Sequence, residues 1–166
     1  MIGLGDQCRT PFIVDFGPAQ KYHCTTTGIH IPFRQVQRIR GTPAFSSIHS
    51  HLGAEIGQRN DLESLAYTLI YLVHGSLPWH KDKRQQASSI LEMKQKIPVE
   101  VLCHQAPCEL ATFLTYTHTL SFLENPNYSY IQFLFGTLRR GTSNLEHGPL
   151  FDLSLPASSP LESECR

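Results

Sequence analysis

The chain has no surplus of either charge. Its 166 residues carry 14 Lys and Arg against 14 Asp and Glu, so the totals imply no basic face and nucleic acid is not an expected partner. No apolar run approaches the ~20 residues needed to cross a bilayer. The first residues also lack the basic stretch and apolar core of a secretory signal. A membrane is therefore not an expected partner either. Cysteine is sparse and irregular: there are five, an odd number without the regular spacing of a disulfide framework. Free thiols in a reducing compartment follow, cytoplasmic or nuclear.

What is present reads as one globular domain. An apolar fraction of 40% beside 17% charged residues supplies a core. Residues 11–16 read as a short strand, Pro11-Phe12-Ile13-Val14 leading into Asp15-Phe16-Gly17. Residues 17–47 are rich in Thr, Gly, Pro and His without helical period, and predict a loop longer than compact domains usually carry. Asn60 and Asp61 are good N-cap residues, and Glu63 adds a first-turn carboxylate. From Leu62 the run through Leu65, Ala66, Tyr67, Leu69, Ile70, Tyr71, Leu72 and Val73 is apolar on nearly every side and ends at Gly75, which predicts a helix buried all round. Residues 84–95 form a more polar helix that stops before Pro98. In 107–119, Leu110, Phe113, Leu114 and Thr117 make an i, i+3, i+4, i+7 stripe, and 128–138 repeats it with Ile131, Leu134, Phe135 and Leu138. After Gly141 the composition turns to Ser, Pro, Gly and isolated Leu, so residues 141–166 read as a disordered tail.

The motifs stand in a recognisable order. Met1-Ile2-Gly3-Leu4-Gly5 precedes Val14-Asp15-Phe16-Gly17; Ala19-Gln20-Lys21-Tyr22, His30-Ile31-Pro32-Phe33-Arg34, Gly41-Thr42 and Ser47-Ile48-His49 follow. Then come His51-Leu52-Gly53, Asp61-Leu62-Glu63-Ser64-Leu65, Ser76-Leu77-Pro78-Trp79, Pro98-Val99-Glu100-Val101-Leu102-Cys103 and Pro126-Asn127-Tyr128-Ser129-Tyr130. From Met1 to about Gly141 the chain resembles the C-terminal lobe of the casein kinase 1 family of serine/threonine protein kinases. The resemblance implies a mainly α fold, a long activation loop followed by about four to five helices, with little strand. Residues 1–140 would be a partial kinase domain and 141–166 a tail. The intact family transfers a phosphoryl group from Mg-ATP to Ser or Thr hydroxyls. The D-F-G aspartate, here Asp15, would hold Mg²⁺ on ATP. The counterpart of Thr42 bonds the catalytic aspartate, and that of Asp61 accepts hydrogen bonds from the catalytic-loop backbone.

The catalytic machinery itself is missing from the pattern. A kinase carries a glycine-rich loop, a strand lysine and H-R-D-x-x-x-x-N ahead of D-F-G; the fourteen residues before Asp15 contain none of them. The expectation is a chain with no catalytic residue and no cofactor of its own, in which Asp15, with Phe16 and Gly17, is idle unless an upstream half is supplied. Asp61 and Thr42 are then structural residues whose partners lie elsewhere. Pro18, Ala44, His118 and Ser121 depart from the family pattern, Ala44 and the last two standing where it has arginine. Three readings follow: a truncated kinase-lineage protein without activity, a pseudokinase-type interaction module, or the product of a partial gene copy or incomplete gene model. A protein covering the exposed face of the central helix is the expected partner. Thr25, Thr26, Thr27 and Thr42 are candidate phosphorylation sites against a reading as a merely polar loop. Zinc at Cys103, His104 and Cys108 with His49 and His51 is weighed against free thiols and imidazoles; in both cases the second reading is preferred.

Overall fold

Helix-forming sequence is confined to the second two-thirds of the chain, and the computed structural model follows that division. It describes residues 1–142 apart from Arg9, Gln37, Arg38 and residues 81–85. Six α-helices lie among the described residues: α1 (Ile48–His51), α2 (Gln58–His74), α3 (Ala87–Lys96), α4 (Val99–Leu102), α5 (Cys108–Thr119) and α6 (Tyr128–Thr142). The fold is mainly α. Residues 17–36 and 39–46 are loop, held by isolated bridges such as His23 to His30. A disordered tail is expected over 141–166; α6 runs on to Thr142, and 143–166 lie outside the described residues.

The core forms where α2 packs along α5. Ala66, Tyr67 and Ile70 of α2 meet Leu110, Phe113 and Leu114 of α5, all buried. The whole stripe expected on α5, Thr117 included, faces inward. Ile131 of α6 and Leu77 with Trp79, which follow α2, belong to the same buried cluster. Gly75 ends α2 in the left-handed region at φ 71°, its N–H donating to Tyr71 O at 2.7 Å. This is the stop that the glycine was expected to provide.

Three expectations need correction. The strand at 11–16 does not form. Pro11 makes one bridge to Ile2, and the apolar residues that follow find no neighbouring strand, leaving Ile13 85% and Phe16 70% exposed. Extended apolar residues make a strand only when another backbone pairs with them. The N-cap of α2 is Gly57, three residues ahead of Asn60. The Asn60 side chain instead reaches back to accept from Gly57 N at 2.8 Å. Finally, α2 is not buried all round: Leu65, Leu72 and Val73 are 45%, 60% and 49% exposed. An apolar side chain is buried only where a second element lies over it, and none of the described residues lies over this side.

Candidate functional site

Asp15 sits in an exposed turn. Its φ is 64°, a left-handed value that aspartate tolerates better than most residues, and its Oδ1 accepts from Gly17 N at 3.3 Å. Among the described residues, no group of three or more His, Cys, Asp or Glu is placed to hold a metal ion. Cys103 is buried with its thiol pushed up to about 11 by burial and by Glu100, while Cys108 is exposed. Thr42 is exposed; its carbonyl accepts from Phe45 N, Ser46 N and Ser46 Oγ, forming the turn that leads into α1.

Asp61 borders a cavity of about 290 Å³ between the residues just after D-F-G and the start of α2. Pro18, Ala19, Gln20 and Tyr22 line one side; Gly57, Gln58, Asp61 and Leu62 line the other, with Tyr128 of α6. The Asp61 side chain is exposed to one side and desolvated on the other, which moves its carboxyl pKa upward. Thus the D-F-G flank and Asp61 share one concavity, whereas Thr42 belongs to the turn before α1.

A second constellation is buried beneath α1. Glu63 is 2% exposed, and its Oε1 accepts from Ile48 N at 2.8 Å and from Tyr67 OH at 2.9 Å, with His118 Nε2 at 3.6 Å. Burial pushes this carboxyl up, but the donors from His118, Ile48 and Tyr67 outweigh it and hold the pKa below the usual range. Lys94 of α3 is 5% exposed and donates to Pro43 O at 3.1 Å and Ser46 O at 2.5 Å. Its Nζ lies 4.6 Å from the Tyr67 ring centroid and 5.2 Å from that of Trp79. Burial moves the ammonium down to about 7, partly opposed by Glu63. Trp79 Nε1 donates to Ala44 O at 2.8 Å, so the 43–46 turn is fastened from two elements.

Sequence reasoning noted His118 only as a departure from arginine, and missed Lys94 and the inward turn of Glu63. Lys94 lies in a helix of mostly polar residues, where a lysine ordinarily points to water. Its only distinguishing feature is a set of carbonyls supplied fifty residues upstream. Ser47-Ile48-His49-Ser50 did carry a readable signal: Ser47 is an N-cap, accepting from Ser50 N at 3.1 Å. No protein-family model matches the chain. No helix among the described residues is long and apolar enough to cross a membrane.

Proposed function

We propose that this chain is a casein kinase 1-type C-terminal lobe that, as these 166 residues stand, binds rather than catalyses. The observation that supports this is the side of α2 left uncovered. Asp61, Leu65 and Leu72 fall at i, i+4 and i+11, one stripe of the helix, and that stripe runs from the cavity at Asp61 over two exposed leucines. In the resembling kinases, the catalytic loop meets the aspartate at this place and a preceding helix covers the leucines. A chain supplying those segments would complete the concavity and bury the stripe. Asp15 would then hold Mg²⁺ beside nucleotide phosphates; without a cradle for the phosphates, a single carboxylate holds the ion poorly.

Isothermal calorimetry of the purified chain with Mg²⁺-ATP tests this directly. The expected result is no heat of binding at micromolar to millimolar nucleotide; saturable binding would overturn the reading. Mass-spectrometric mapping of the N-terminus in source cells separates two forms of it. Native peptides carrying H-R-D upstream would make these residues the lobe of a complete kinase. A native start at Met1 would leave a lobe that functions by association.

A further inference from the structure

The helix α1 carries two histidines into surroundings that already hold cations. His49 faces Arg59 and Glu63 of α2 and His118 of α5. Its Nδ1 is shut off from solvent and has no hydrogen-bond partner. His51 Nε2 lies 2.9 Å from Pro43 O and 3.4 Å from Lys94 Nζ. The carbonyl requires that this nitrogen donate, so both Lys94 and His51 point N–H groups at the same oxygen. Glu63, the carboxylate facing both histidines, is already engaged by Ile48, Tyr67 and His118. Both imidazoles are therefore seated as neutral rings.

We propose that α1 is an acid-released latch: protonating His49 and His51 frees residues 42–52 from α2 and α3 while the α2–α5 core stays folded. A proton on His51 would put a second cation beside Lys94 on one carbonyl. A proton on His49 Nδ1 would bury a charged donor with no acceptor, next to Arg59. The opposing groups are Glu63 and the Pro43 and Ala87 carbonyls, which favour the charged form of His51. They do not prevail: for both rings the burial and the neighbouring cations hold the pKa below the usual histidine value. A group with a depressed pKa in the folded state stabilises docking above its free value and loses that contribution as pH falls. The His118 ring, 3.6 Å from Glu63 Oε1, joins α5 to α2 by a contact in which α1 takes no part. Acid thus loosens α1 and leaves the core beneath it in place.

Hydrogen exchange of the full chain at pH 7.5 and 5.5, corrected for intrinsic rates, reads this out. The amides of His51, Leu52 and Ala54, which bond Ser47 O, Ile48 O and His49 O, are expected to lose protection at pH 5.5, by up to about tenfold for each ring, the ratio of charged to neutral free imidazole one unit below its ordinary value. Amides of α5 are expected to keep theirs. The double variant His49→Gln, His51→Gln is expected to show no such pH difference. Unchanged protection at residues 51–54, an equal loss in α5, or a loss that persists in the double variant would each overturn the proposal. If the double variant does not fold, the wild-type contrast between α1 and α5 decides alone.

Discussion

Glu63 joins three helices through one oxygen, taking the Ile48 amide of α1, the Tyr67 hydroxyl of its own helix and the His118 ring of α5. Truncation would strand buried donors. Glu63→Ala is expected to cost about 3 kcal/mol in urea unfolding, against a smaller loss for Glu63→Gln, which preserves shape and an acceptor. Lys94 gives a pH signature of the same sign and cause as the α1 histidines, since burial lowers its pKa too. Its folded value of about 7 lies below the 10.5 of a free lysine, so the unfolded chain binds more protons between those values and stability rises with pH. Between pH 7 and 8.5 this lysine should contribute a slope approaching ~1.4 kcal/mol per pH unit at most, beside a part of the same sign from the exposed Cys24 thiol, held down at about 7 by Thr27 and Thr26. Lys94→Met should flatten it, as chemical denaturation across that range would show. Two glycines at left-handed φ separate conformational from steric cost. At Gly75 a Cβ would meet nothing, whereas at Gly53 it would lie 2.3 Å from Val36 O. Gly75→Ala is expected to cost about 1 kcal/mol, and Gly53→Ala clearly more in the same assay.

Among the elements, α5 and α2 answer differently to the same kind of change. Phe113 is fully buried, and Phe113→Ala should cost about 3–5 kcal/mol through lost burial and the cavity left behind. Leu72 is 60% exposed, so Leu72→Glu should leave the melting temperature nearly unchanged, as a thermal melt followed by circular dichroism would show. The contrast also marks what could be read beforehand. The α5 stripe was legible because its period is helical and its cover lies within the same chain. The apolar residues of α2 announced a buried helix, but hydrophobicity says only what ought to be covered; Leu65 and Leu72 show that it does not supply the cover. One-turn helices such as α1 and α4 leave almost no periodic trace. The position of Asp61 was legible as the start of the central helix, while its cavity depends on Pro18 and Ala19 arriving from forty residues upstream. Glu63 read as a first-turn carboxylate because the cap was placed at Asn60; with the helix starting at Gln58 it stands in the second turn, on the face that meets Ile48 and His118.

For the molecule as a whole, burial is concentrated in the helical part. Residues 1–17 are exposed throughout apart from half-buried Gly3 and undescribed Arg9, so they share almost no surface with the core. A chain beginning at Pro18 is expected to keep the helical circular dichroism and the melting temperature of the full chain, since the deleted residues bury little apolar surface. The 43–46 turn, by contrast, is held by Lys94 of α3 and by the indole of Trp79. Trp79 is the single tryptophan in the sequence and is 1% exposed. Its N–H bonds the turn's own carbonyl and its face meets the Lys94 ammonium. The molecule therefore carries an optical gauge at the joint between loop and core. Emission from this one fluorophore, blue while the indole is enclosed and red-shifted once water reaches it, reports in real time whether the turn is seated.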